Sequence, residues 1–205
     1  MKKKQEPTEQ VVKIPPIDFG TAKITLIGDT PLITNKMSEK AKQQMLDKQM
    51  KKAKTAKEAK DPEACFKGSL YPIPGKKNKY GIPAGGIKQA AVSACRFVDG
   101  VKMTAAQGSF HVLAGPGNLI EIEGDDPVMD ESIVRVGNFP NKVADIRYRA
   151  RFDKWSVTFP VKFNKRMISV EQLANLYDNA GFAVGLCEWR PEKKGSFGMF
   201  HVSRE

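Results

Sequence analysis

The chain of 205 residues holds 34 Lys and Arg against 23 Asp and Glu, a net charge of +11, with 40% apolar residues. That length supports one folded unit with a real core plus insertions, and the basic excess points to an acidic partner, of which nucleic acid is the commonest. No run of about 18 apolar residues is present to span a membrane, the start MKKKQEPTEQ lacks the apolar stretch of a secretory signal, and three cysteines without a CxxC spacing argue against a disulfide framework or a zinc knuckle. A cytoplasmic protein without cofactor or metal is therefore expected.

Residues 1–16 are polar, end in Pro15-Pro16 and read as a flexible arm; the folded unit is expected over 17–205. Ala22, Ile24 and Leu26 alternate with Lys23, Thr25 and Ile27, the period of a half-buried strand, and Gly28-Asp29-Thr30-Pro31 breaks it. Residues 36–60 hold nine lysines and three acids, with a thin stripe of Met37, Ala41, Met45, Met50 and Ala53. A helix so poor in bulky side chains buries little, so this reads as a solvated or partly disordered helix, which is compatible with a mobile basic arm that closes on a nucleic acid or a neighbour. Residues 61–79 read as irregular and end in the basic turn Gly75-Lys76-Lys77-Asn78-Lys79. The basic insertion thus spans 36–79, with Lys36, Lys76 and Lys77 as candidate contacts.

After Ile82-Pro83, the run Ala84-Gly85-Gly86 opens a helix whose Ile87, Ala91, Ala94 and Val98 form one stripe, with Lys88, Gln89, Ser93 and Arg96 off it. Strands are expected at 110–113, 119–123 and 133–136, and residues 118–131 carry six acids and no base. Arg147, Arg149 and Arg151 then alternate with Ile146, Tyr148, Ala150 and Phe152; beyond Asp153-Lys154 the apolar set is Trp155, Val157, Phe159, Val161 and Phe163. Two strands joined by a tight connection with a change of register account for this. Ser169 with Gln172 makes a capping box, Leu173, Leu176, Tyr177 and Ala180 share a helical face, and Gly181 reads as the stop. A strand over 182–189, a basic turn from Arg190 to Gly195 and a closing strand over 197–202 complete the chain. Helices set among strands in this order predict an α+β fold, a ferredoxin-like or RRM-like split antiparallel sheet with helical and β insertions.

Three basic features are candidates for nucleic-acid contact. Gly85 and Gly86 at a helix start expose backbone N–H groups where the helix dipole favours an anion, with Lys88 on the first turn and Arg96 further along as candidate contacts; the plain alternative is a turn. Arg147, Arg149 and Arg151 would stand about 7 Å apart on one strand face, which requires acids opposite, a polyanion, or a solvated face. Arg190, Lys193 and Lys194 lie beside Phe197, a ring on which a base can stack, while Trp189 reads as core. Catalytic motifs are missing: no GxSxG, HExxH, Walker loop or GxGxxG occurs, and Asp29, Asp61 and Asp145 read as structural.

GIPAGGIKQAAVSACR, residues 81–96, is similar to the IPGSSxKGxxR segment of the RAMP superfamily, the RRM-derived proteins of CRISPR effector complexes. Gly185-Leu186-Cys187-Glu188-Trp189-Arg190-Pro191 with Gly195-Ser196-Phe197-Gly198 resembles that family's glycine-rich C-terminal loop. The resemblance covers 20–34, 80–98 and 169–202; Gly85-Gly86 stands in place of the double serine, and Gln89 where glycine is common. It implies a backbone-type subunit of an antiviral ribonucleoprotein complex. Copies would stack as a filament along single-stranded RNA or DNA, Gly85, Gly86 and Lys88 would take the phosphate role, and the 36–79 insertion would stand where relatives carry thumb- or lid-like extensions. Partners would then be the strand, other copies and other subunits. Some members cut their target with an aspartate in the insertion; Asp61 is the candidate here and lacks the context, so no cleavage is expected. Two alternatives stand beside this: a RAMP-type endoribonuclease using Asp61 or His201, and an interaction protein that mimics a RAMP subunit and binds a host defence complex.

Overall fold

A computed structural model of the chain describes residues 14–52, 59–137 and 140–204; most of the 1–16 arm lies outside these. The first strand, β1 (Phe19–Gly28), pairs antiparallel with β8 (Trp155–Asn164) along its length, from Phe19 opposite Asn164 to Ile27 opposite Ser156. Strands β3 (Gly81–Pro83) and β5 (Leu119–Gly124) extend the sheet on one side and β9 (Phe200–Val202) on the other, in the order β3-β5-β8-β1-β9, with β4 (Phe110–Val112) also pairing β8. Helices α3 (Ala84–Ala94) and α5 (Val170–Ala183) pack against each other. Reduced to β1-α3-β5-β8-α5-β9, the strand order β9-β1-β8-β5 is the split βαβ arrangement that the patterning predicts.

Alternation in β8 decides the core. Trp155, Val157, Phe159, Val161 and Phe163 are all buried, with Ile24 and Leu26 of β1 beside them. Tyr177 of α5 meets the rings of Phe159 and Phe110 at 5.6 and 6.1 Å in edge-on geometry, a favoured aromatic arrangement. Ile87, Ala91 and Ala94 of α3, and Leu173, Leu176, Tyr177 and Ala180 of α5, are buried as expected, while Val98, expected to continue the first stripe, lies beyond the end of α3 and is half-buried. The Ser169–Gln172 capping box is formed from both sides.

A second antiparallel sheet, β2-β7-β6, is built from β2 (Leu32–Thr34), β7 (Val143–Phe152) and β6 (Val128–Val136). β7 and β8, consecutive in sequence, therefore part at Asp153-Lys154 into different sheets, and the change of phase there is the crossing between them. Residues 61–79, expected to be irregular, contain α2 (Pro62–Ser69). Asp61 caps it by accepting from the Ala64 N–H, Pro62 opens it and Glu63 sits in its first turn, a start signal legible in the sequence. Of the basic stretch before it, Glu39–Gln49 forms α1, which buries no residue, as the thin stripe predicts; Ala53 of that stripe lies outside the described residues. A further helix, α4 (Met103–Ser109), occupies part of the stretch after α3.

Two expectations near the C-terminus are corrected. Gly181 does not stop α5, which runs on to Ala183; glycine is there because a Cβ would lie 1.7 Å from the Phe200 carbonyl oxygen, so it lets β9 approach the helix. Residues 182–189 are not a strand: Gly185, Cys187 and Trp189 take φ of +70°, +61° and +53°, and a chain turning left-handed at alternate residues cannot extend. The closing strand is shorter than 197–202, since Gly198 is also left-handed. Among the described residues no helix is long and apolar enough to cross a membrane.

Candidate nucleic-acid interface

The start of α3 is fixed by close packing before it. A Cβ on Gly81 would sit 2.5 Å from the Ile120 carbonyl oxygen, so glycine allows β3 to lie tight on β5 and aims the chain into the helix. Pro83 is the N-cap and makes no side-chain cap, and no acid stands in the first turn. The first N–H groups of an α-helix have no intrahelical partner, and Gly85 and Gly86 are exposed, with nothing within 4 Å of where a Cβ would stand. This end of α3 is an open set of donors at the positive end of the dipole.

Facing it is the terminal loop, whose shape is held by its own backbone. Leu186 N–H donates to the Gly198 carbonyl at 2.9 Å, Gly198 N–H to Pro31 at 2.8 Å, and Phe197 N–H to Trp189 at 3.0 Å. Gly195 N–H donates to Arg190, and Lys194 at φ +65° ends the short turn Pro191–Lys193. Lys193 and Lys194 are exposed at its tip. Trp189 and Phe197 are both half-buried, and the Trp189 indole nitrogen is buried without a hydrogen-bond partner. Burial also pushes the Cys187 thiol up to about 12, which makes it an inert neutral group.

Helix and loop meet around one cleft of about 250 Å³. Gly86, Gln89 and Ser93 line it from α3, and Gly185, Glu188 and Arg190 from the loop. Two of the three basic features named from sequence are thus brought together. The loop is clasped to the helix by Glu192, which accepts from Arg96 and, at 2.8 Å, from Arg190; Arg190 also donates to the Cys187 carbonyl at 2.9 Å and Arg96 to Ser93 at 3.1 Å. Both arginines are therefore paired within the chain.

The arginine ladder is answered by acids of the same chain. Arg149 is only 4% exposed and pairs with Glu188 at 3.4 Å; burial lowers its pKa, opposed by the Glu188 charge. Arg151 pairs with Asp130 and Asp153, and Arg147 with Asp145. In the basic insertion, Lys76 pairs with Glu121, Lys36 is half-buried with its N–H on the Ser69 carbonyl, and Lys77 is exposed. Lys88 is not a lining residue of the cleft: its ammonium stands 3.2 Å from His111 Nδ1 and 5.9 Å from the Phe110 ring, with its pKa lowered by burial.

Asn35, Glu188 and Glu192 were not among the residues singled out from sequence. Asn35 reaches the cleft through β2, which bridges to the loop at Ile33–Glu188, and its amide donates to Glu188 at 2.9 Å. Only that long-range contact marks it.

No family model and no curated protein matches the chain. Among solved structures, the chain is similar to the crystal structure of Cmr6 from Pyrococcus furiosus, at 9% identity and a TM-score of 0.45 over 92% of this chain and 100% of that one.

Proposed function

We propose that this protein binds single-stranded RNA or DNA without cutting it, chiefly through backbone phosphates, and that copies assemble side by side along the strand. The observation that carries this reading is the meeting of an uncapped helix N-terminus with a lysine-tipped loop around one open cleft. Backbone N–H donors and mobile ammonium groups suit phosphate oxygens irrespective of sequence. The resemblance to RAMP subunits rests on these same two segments, and supports a place in a ribonucleoprotein complex. Assembly is supported by charge: residues 36–60 hold nine lysines against three acids and α1 within them buries no residue, whereas Glu123, Asp125, Asp126 and Glu131 are exposed on and beside the β5–β6 turn. The test is a fluorescence-anisotropy titration with labelled single-stranded RNA and DNA at two salt concentrations. Binding at low salt that weakens steeply at high salt is expected; no binding at low salt overturns the reading.

A second reading, RNA cleavage, draws on one observation. His201 Nδ1 lies 2.6 Å from an Asp29 carboxylate oxygen, exposed, in a depression of about 610 Å³ that Arg204 also lines. Asp61, the other candidate, is occupied as the cap of α2. End-labelled RNA is expected to stay intact through long incubation with the wild-type protein. Cutting that disappears in His201→Ala would establish the second reading.

A further inference from the structure

The interior of the cleft is poorly suited to a phosphate. Its one lining cation among the described residues, Arg190, has Nε and Nη2 on Glu192 and Nη1 on the Cys187 carbonyl, whereas two carboxylates, Glu188 and Glu192, line it. What the cleft offers instead is mainly acceptors, beside the second N–H of the Asn35 and Gln89 amides and the Ser93 hydroxyl. Asn35 must turn its NH₂ onto Glu188, which leaves Oδ1 as an acceptor. Glu188 receives one bond on each oxygen, from Asn35 and Arg149, and each oxygen keeps a second lone pair. Gln89 donates its amide to Ser93 Oγ at 3.2 Å, and its carbonyl oxygen remains. Ile82, Ala90 and Leu186 supply apolar walls. Apolar walls with a few convergent polar groups are the makings of a site for a flat, neutral ligand.

We infer that this cleft takes one unstacked nucleobase by an edge that carries an exocyclic amino group, the phosphates on either side lying outside on the α3 N-terminus and on Lys193 and Lys194. This rests on the reading above, that the protein binds a single strand. Single-stranded recognition commonly splays a base out and reads its edge with side-chain groups. A carboxylate or amide oxygen accepts from the cytosine N4 amino group and meets an oxygen instead in uracil. With two carboxylates in its lining, the cleft favours an amino-bearing edge over that of uracil.

Cytosine and uracil differ at that edge with little change in size, so labelled oligocytidylate and oligouridylate of equal length separate base from backbone. Anisotropy at one salt concentration is expected to give at least about fivefold tighter binding for the cytosine strand, one good edge contact being worth roughly that factor or more. The ratio is expected to fall towards one in Gln89→Ala, an exposed helical position where alanine folds well, and in Asn35→Ala. Equal affinity for the two strands overturns the inference and leaves backbone binding standing. A cytosine preference untouched by both variants also overturns it. Failure of both strands to bind at low salt overturns the single-strand reading itself.

Discussion

Gly198→Ala is expected to unfold the terminal loop and cost about 3 kcal/mol, a drop in melting midpoint of roughly 6–12 °C for a chain of this size. Two effects add. The residue sits at φ +66°, a region costly for any residue with a Cβ, and that Cβ would stand 2.1 Å from the Leu186 carbonyl oxygen, a backbone atom that cannot swing away. The same residue receives the Leu186 N–H and donates to Pro31, so moving it loosens the cleft wall and its anchor to the end of β1 together. Gly86→Ala is the contrasting case. It is helical, with open space around it, so alanine there is expected to raise stability by about 0.5 kcal/mol while weakening binding, because the new methyl group stands where a phosphate would approach. Thermal melts and anisotropy on both variants check the pair; Gly198→Ala melting with the wild type would contradict the account of the loop.

Replacing Lys193 and Lys194 together by alanine is expected to lower the slope of log affinity against log salt by about 1.4, each phosphate contact on a single strand contributing about 0.7. Affinity at low salt should fall by more than an order of magnitude for every strand sequence alike, since phosphate contacts carry no sequence information. Arg147 replacement is expected to change the slope little, because that guanidinium already faces Asp145. A double lysine variant with the wild-type slope would place the strand elsewhere on the protein.

The sheet was legible because its patterning is local. β8 alternates from Trp155 to Phe163 and β1 from Ala22 to Leu26, and α3 and α5 show one apolar stripe and, in α5, a capping box. The candidate site was half legible. Gly85-Gly86 and the lysines of the terminal loop stand out as sequence, and their meeting follows from the order of the elements. What escaped is set by distant contacts. The three arginines of β7 look identical in the sequence, yet Arg149 is buried against Glu188, 39 residues away, while Arg147 and Arg151 find acids nearer by. Arg96 and Arg190 read as free bases until Glu192 is seen between them. Gly181 reads as a helix stop because glycine serves both termination and close approach, and only the neighbouring strand shows which role applies.

On the proposed function, a single strand lies across the α3 N-terminus and the terminal loop. Ultraviolet cross-linking of the protein to a short single-stranded RNA, followed by mass-spectrometric mapping of the adducts, tests it most directly. Adducts are predicted at Tyr71, which lines the cleft, and within residues 81–96 and 185–198, the second of which contains Trp189 and Phe197, and they should vanish at high salt. Adducts confined to β6, β7 or α1, with none in those two segments, would contradict it.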